Sequence, residues 1–217
     1  MKRFIPAIIV SAIGIGIAYY MLSRPKKLKV FNPIDINPEL VDESIQKVDK
    51  YHRVGPFKLI DQDGNISTEN DFRNKIYVTD FFFVTCPTIC PKMTKQMHRV
   101  YSEYKDNPDI MFLSHTVMPE SDSVPVLKKY ATDLNVDSKK WKFVTGDKKQ
   151  IYSLARKTYF AAVTEGDGGV NDFVHTENFV LVDKEKRLRG FYDGTSKEDV
   201  DRLINDISAL LYEYGDN

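Results

Sequence analysis

A nearly continuous run of apolar and aromatic residues, residues 76–83, constrains the fold of this chain more than any other feature. Strands that alternate between polar and apolar residues have one face in water, whereas an unbroken apolar run is typical of a strand buried on both faces. We therefore predict that residues 76–83 form the central strand of a sheet that is covered on both sides.

The segments around this run alternate between strand and helix patterns. Apolar residues at steps of three and four predict helices, and short β-branched or aromatic runs predict strands, with the Asp63-Gly64 dipeptide as a hairpin turn. The predicted strands cover residues 57–60, 65–67, 110–117, 141–145, 179–182 and 187–191, and the predicted helices cover residues 91–104, 124–134, 147–158 and 196–214. This order predicts an α/β layered sheet.

The N-terminal part of the chain carries an uncharged stretch at residues 4–22. A stretch of this length can cross a bilayer as one helix and exceeds the apolar region of about 7–15 residues in a cleavable signal peptide. We predict a membrane anchor at residues 1–25, a stalk or linker at 26–50 with one short helix near residues 39–48, and one domain at 51–217. A cleaved signal peptide is the alternative.

Charge excludes one class of partner. The 31 basic and 31 acidic residues cancel, and neither sign forms a block. A nucleic-acid-binding domain normally shows a basic patch or stripe, so we predict no nucleic-acid partner.

The chain has only two cysteines, Cys86 and Cys90, directly after the predicted central strand. A bridge that closes so short a loop stabilises little, which favours a chemical role. Ligand sites of α/β sheets lie at this end of the strands. Pro87 is expected to be the first residue of the following helix, whose positive N-terminus favours thiolates. Two such sulfurs can hold a soft metal ion or form a disulfide, and a pair of buried, inert thiols is the alternative.

The four histidines have different surroundings in the sequence. His175 follows a glycine-rich stretch and precedes a predicted strand, which suits a metal ligand. His115 is close to the end of its strand, on the same expected rim, and is the reserve ligand. His98 and His52 are expected to be packed or solvated side chains.

Three segments of the chain resemble the Sco/SenC family: residues 55–59, residues 83–91 with the CxxxCP motif, and residues 172–176 with the late histidine. The resemblance extends from about residue 51 to 214, and the anchor is also similar. Proteins of this family are thioredoxin-like, bind copper and help to assemble the binuclear copper site of cytochrome c oxidase. The resemblance implies a thioredoxin-like sheet flanked by helices, with an N-terminal transmembrane helix.

The resemblance also implies a copper site made by Cys86, Cys90 and His175. Thiolates suit Cu(I) and imidazole suits Cu(II), so this set could hold either ion, whereas structural zinc would want a fourth protein ligand. The implied partner is the copper-bearing subunit of cytochrome c oxidase or another periplasmic copper or thiol protein, at the outer side of a bacterial inner membrane. The family often has Asp at the positions of Thr88 and Val174, so the surroundings of the ligands differ here.

Two other readings of the cysteines stay open. Cys86 and Cys90 could be the catalytic pair of a thiol-disulfide oxidoreductase without stable metal, although most thioredoxin-type enzymes use CxxC and have a proline where residues 176–178 have none. The chain could also be a non-catalytic binding module. Met93 and Met97 could serve copper, but thioethers at helical steps more often fill a core.

The division into anchor and domain predicts the behaviour of a truncated chain. We expect a protein that starts after Lys27 to be soluble and folded, because the uncharged stretch has been removed, as judged by circular dichroism and gel filtration. In the full-length protein, protease added to spheroplasts should reach the domain together with a known outer-side control. Protection of the domain while that control is cut would contradict the orientation.

Overall fold

Seven strands form one mixed sheet in a computed structural model that describes residues 14–16, 27–163, 166, 169 and 172–215. The strand order is β2-β1-β5-β4-β3-β6-β7, in which β3, β4 and β5 run parallel and all other neighbours are antiparallel. The strands are β1 (Lys58–Asp61), β2 (Ile66–Thr68), β3 (Ile76–Phe82), β4 (Ile110–Thr116), β5 (Trp141–Thr145), β6 (Asn178–Val182) and β7 (Leu188–Asp193).

Helices cover both faces of this sheet. Three of them contribute to the core on one face: α1 (Ile89–Tyr104), α2 (Val124–Asp133) and α4 (Lys197–Tyr214). The other face is covered by α3 (Lys148–Ser153), the π-helical turn Leu154–Thr158 that continues it, and the segments that lead into the sheet. This arrangement confirms the predicted α/β sheet with flanking helices.

Strand β3 is a buried interior strand, as predicted, but it lies one place from the middle of the sheet, which β4 occupies. All seven residues of β3 are buried, and it pairs with β4 along its whole length and with β6 on the other side. Side chains alternate across a strand, so Val78 and Phe82 join the core beneath α1 and α4, whereas Tyr77 and Phe81 join the core on the other face. The strand therefore contributes side chains to two apolar cores, one on each face of the sheet.

Two helix predictions need correction. The helix after the cysteines begins at Ile89 with Thr88 as its N-cap, so Pro87 is not its first residue. The chain turns at residues 84–85 and bends at Pro87 and Thr88, so helical hydrogen bonding begins only at Ile89. The helix predicted for residues 147–158 changes to a π-helical turn at Leu154, where the amide of Tyr159 donates to a carbonyl five residues back.

The segment predicted as a stalk contacts the domain in the described residues. Phe31 forms a β-bridge with Leu188, and Val41 is buried in the second core. The short helix predicted near residues 39–48 is wrong: two 3-10 turns, Pro33–Asp35 and Pro38–Leu40, occupy this region together with hydrogen-bonded turns. Both 3-10 turns begin at proline, whose fixed φ suits a first turn.

The predicted anchor, residues 4–22, lies outside the described residues except for residues 14–16, which are helical. Among the residues that the structure describes, no helix has the length and apolar character needed to cross a membrane.

The packing of α1 predicts how its methionines respond to substitution. Met93 and Met97 are fully buried in the first core. We expect Met97→Ala to lower the free energy of unfolding by about 2–5 kcal/mol, because it leaves a cavity, and Met97→Leu to cost less than about 1.5 kcal/mol. Urea unfolding measures both. Equal costs for Ala and Leu would contradict this packing.

Candidate metal centre

The turn that carries the cysteines is held by backbone and carboxylate hydrogen bonds. The amide of Cys86 donates to the carbonyl of Phe83 over 3.3 Å. The amide of Val84 donates to Asp122 Oδ2 over 3.1 Å, and the same oxygen accepts from the Thr116 hydroxyl at the end of β4 over 2.5 Å. Asp122 therefore connects the residues just before Cys86 to the end of β4 through hydrogen bonds. Sequence analysis missed this residue, since nothing in its loop distinguishes it from other surface acids.

The two cysteines are reduced, buried and adjacent. Their residues are 7% and 6% exposed, and the amide of Cys90 donates to Cys86 Sγ over 3.4 Å. Burial disfavours the Cys86 thiolate, but hydrogen bonds from the backbone of Cys90, Thr88 and Ile89 outweigh it and lower the pKa of Cys86 to about 7. Cys86 is thus the more acidic thiol, as expected for a cysteine just before a helix.

Cys90 differs from its neighbour. Burial raises the pKa of Cys90 to about 12, against a hydrogen bond with the backbone of Phe83, and the nearby Cys86 adds to the increase. At neutral pH the pair therefore consists of one acidic thiol that is close to half ionised and one thiol that keeps its proton.

A buried carboxyl group lies behind this pair. Asp80 is on β3 in the same register position as Ser114 on β4, and burial raises the pKa of its carboxyl to about 7, against a hydrogen bond with Ser114. Its Oδ1 is buried and has no hydrogen-bond partner in the described part of the protein. The charge of Asp80 also contributes to the raised pKa of Cys90. Sequence analysis missed Asp80, although an acid inside an otherwise apolar strand is itself a signal.

His175 is exposed on the loop before β6, and this loop packs beside the cysteine turn. The ring of Phe173 contacts that of Phe83 edge-on, with 5.6 Å between the centroids, and lies 6.2 Å from the imidazole of His175. Val174 between them is buried in the second core. The loop is thus fixed against the residue that begins the turn to Cys86.

The structure does not bring the three predicted ligands into one cluster. Within the described ranges, no group of three or more His, Cys, Asp or Glu side chains is arranged to hold a metal ion. Cys86 and Cys90 are together, and His175 is not assembled with them. Coordination by all three side chains would require His175 to approach the sulfurs.

The prediction of His115 as reserve ligand is wrong. His115 is fully buried in the second core, on the face of the sheet away from the cysteines, where it stacks on Phe81 with 4.7 Å between ring centroids. Burial lowers the pKa of its imidazole to about 3. The prediction placed it on the correct strand, but strand alternation turned its side chain to the other face.

The remaining two histidines have local partners. The Nε2 atom of His52 lies 2.8 Å from the carbonyl oxygen of Thr158, and that of His98 lies 3.2 Å from the carbonyl oxygen of Leu134. His98 also lines a mainly apolar groove of about 580 Å³ between α1 and α2, which reaches Cys90. His98 is therefore the described histidine that best serves as a control for substitutions of His175.

A mixed sheet flanked by helices, with two adjacent cysteines in the turn after β3, is the architecture of a thioredoxin-like protein. The family model described as SCO1/SenC matches residues 45–212. The chain therefore belongs to the SCO1/SenC family.

Individual relatives agree with this assignment. The SCO1 protein homolog of Bacillus subtilis (strain 168) is 32% identical over 161 residues, which cover 73% of this chain and 82% of the relative. The structure of BsSco, a Sco-family cytochrome c oxidase assembly protein in which a disulfide switch was identified, has a TM-score of 0.62 at 30% identity and covers 76% of this chain and 96% of its own. Copper-bound ScoI of Arabidopsis thaliana has a TM-score of 0.59 at 27% identity, with 74% and 99% covered.

The different acidities of the two thiols predict different reactivities. We expect iodoacetamide to alkylate Cys86 first, at a rate that rises with pH through about 7, because only the thiolate reacts. Cys90 should react only when the protein is unfolded by guanidinium. Peptide mass spectrometry after timed quenching assigns each adduct. Equal rates at the two cysteines of the folded protein would contradict this difference.

Proposed function

We propose that this protein is a membrane-tethered copper chaperone that binds Cu(I) or Cu(II) through Cys86, Cys90 and His175. Its receiving partner is the copper-bearing subunit that holds the binuclear site of cytochrome c oxidase. The domain faces the outer side of a bacterial inner membrane, and residues 4–22 are the tether. Copper is cargo in this proposal.

The observation that carries the proposal is the reduced pair of adjacent sulfurs after β3. Two thiols within one turn are a soft donor set of the kind that selects Cu(I). Cys86 offers a thiolate near neutral pH, and Cys90 has to release its proton when the ion binds. The pair therefore fits copper in its chemistry, and binding is expected to strengthen as pH rises.

His175 adds the nitrogen that Cu(II) prefers. Its loop is fixed beside the cysteine turn by the contact between the rings of Phe173 and Phe83, and the imidazole lies 6.2 Å from the ring of Phe173. In this proposal the ring moves toward the sulfurs when copper binds. An exposed ligand on a short loop can also leave the ion, which suits transfer to a partner.

The membership of the family supports copper as the cargo and cytochrome c oxidase assembly as the setting. Copper-bound structures exist for relatives, and BsSco belongs to a family of cytochrome c oxidase assembly proteins. The proposed anchor and its orientation rest on the uncharged stretch and on the resemblance described above.

A second candidate function is thiol-disulfide exchange with a partner's cysteines. One acidic thiol beside one protonated thiol is the arrangement of an attacking and a resolving cysteine. The buried carboxyl of Asp80, whose charge influences Cys90, adds a group that could exchange a proton with this pair. Both functions use the reduced cysteines, and stable metal binding separates them.

The copper proposal predicts different effects for each ligand. We expect Cys86→Ser or Cys90→Ser to abolish stable binding of both ions, because each removes a soft anionic donor. His175→Ala should chiefly weaken Cu(II) and leave two-sulfur Cu(I) binding. Competition with a chelator measures both affinities on the reduced full-length protein in detergent, and thiolate-to-Cu(II) charge-transfer bands report coordination.

His98→Ala is the matched control, since His98 lines the same groove as Cys90 and lies on the same helix. It should leave both affinities unchanged. Charge-transfer bands that survive His175→Ala but vanish in His98→Ala would show that the wrong histidine has been assigned. A protein oxidised to the Cys86–Cys90 disulfide should bind no copper, and full binding in that form would exclude thiolate ligation. Absence of stable binding by the reduced protein would favour thiol exchange.

A further inference from the structure

A buried ion pair fixes the chain three residues before His175. Arg156, in the π-helical turn, donates from both terminal nitrogens to the two carboxylate oxygens of Asp172, each over 2.6 Å. Their side chains are 6% and 9% exposed. Arg156 Nε also donates to the carbonyl of Val163 over 2.9 Å. One guanidinium thus contacts both the carbonyl of Val163 and the carboxylate of Asp172.

Other groups fit closely around this pair. The guanidinium of Arg156 lies over the ring of Tyr152, 5.4 Å from its centroid. The Tyr152 hydroxyl lies 2.9 Å from the carbonyl oxygen of Val117 and 3.4 Å from that of Asp172. Gly166 lies on the pair so closely that a Cβ there would come within 2.5 Å of both charged groups. A side chain at this position would therefore displace the pair.

A second anchor holds the chain just after His175. The Thr176 hydroxyl donates to the carbonyl of Ala161 over 2.5 Å, and the side-chain amide of Asn178 donates to the same oxygen over 3.1 Å. Residues 173–175 therefore form a span of three residues between two fixed points. Because one residue adds at most about 3.3–3.6 Å of reach, this span restricts where the imidazole can go.

Stability alone does not explain the pair. Removing two charges from water costs about as much as their attraction returns, and apolar replacements of buried ion pairs are often neutral or stabilising. A bidentate arginine–carboxylate contact does, however, define both distance and direction. Its geometry serves to fix a loop.

We propose that the Arg156–Asp172 ion pair positions His175 for the metal ion, so that it controls the affinity for Cu(II) while leaving that for Cu(I) to the sulfurs. This inference rests on the proposed copper function. Arg156 and Asp172 touch neither the ion nor its ligands' donor atoms, and they are positioning residues. Without the pair, the side chain of Asp172 is no longer held to Arg156, and bringing the less restrained loop onto the sulfurs costs more conformational entropy.

The test compares the reduced, full-length protein in detergent with the double variant Arg156→Met/Asp172→Leu, which removes both charges together. We expect Cu(II) affinity to fall by about tenfold, as for other groups that orient a metal ligand, with no change for Cu(I). Metal-free protein should show faster amide hydrogen exchange at residues 172–178 and unchanged exchange in β3 and α1. Arg156→Lys keeps the charge but not the bidentate contact, so its Cu(II) affinity should lie between those of the unsubstituted protein and the double variant.

Two controls separate positioning from loss of stability. Arg189→Met disrupts another buried ion pair, with Asp183 at the far end of β6, and should lower the melting temperature without changing Cu(II) affinity. In a His175→Ala background, the double variant should have no further effect on Cu(II), because the group being positioned is gone.

Unchanged Cu(II) affinity in the double variant would overturn the proposal. So would an equal loss for Cu(I), or a further loss in the His175→Ala background, because either would show that the pair acts on the cysteines or on the whole fold. If His175→Ala alone left Cu(II) binding intact, the proposed ligand set itself would be wrong. This failure is distinguishable from failure of the positioning proposal, because it is seen with Arg156 and Asp172 unchanged.

Discussion

The burial of β3 on both faces is the constraint on which the rest of the structure depends. Because every residue of the strand is enclosed, helices must cover both sides of the sheet, and each side receives alternate side chains of the strand. The cysteine turn starts where this rigid strand ends, and Asp122 joins the turn to β4. The position of the sulfurs is therefore set by the buried strands β3 and β4.

The same burial makes the two thiols different. Both cysteines are close to fully enclosed, which disfavours a thiolate at either, but the amides that point at Cys86 reverse this effect for one sulfur only. Asp80 adds a carboxyl group on the same buried strand. A pair with one acidic and one protonated thiol can accept a soft cation after losing a proton, or exchange disulfides, and both reactions need the reduced state.

The loop that carries His175 is held by different contacts from the turn that carries the cysteines. It is tied to the fold by an ion pair on one side of His175 and by hydrogen bonds to Ala161 on the other, while the imidazole itself stays exposed. The cysteines are thus held by the sheet, and the histidine loop is held by polar contacts with Arg156 of the π-helical turn and with the carbonyl of Ala161. In the proposed function, this division lets His175 move toward an ion while Cys86 and Cys90 keep their place, as uptake and release require.

The sequence by itself determined the order of strands and helices along the chain, the burial of β3 and the cysteine pair after it, because these depend on local periodicity and on spacing along the chain. It placed His115 on the correct strand, but only the sheet decided that this side chain faces the core opposite the cysteines. The start of α1 at Ile89 and the π-helical turn were likewise settled by backbone hydrogen bonds that periodicity does not encode. Asp80 carried a sequence signal, as an acid inside an apolar run, but Asp122 and the contact between Arg156 and Asp172 could not be found from the sequence. Their importance comes from burial and from partners distant along the chain, and these exist only after the layers have packed.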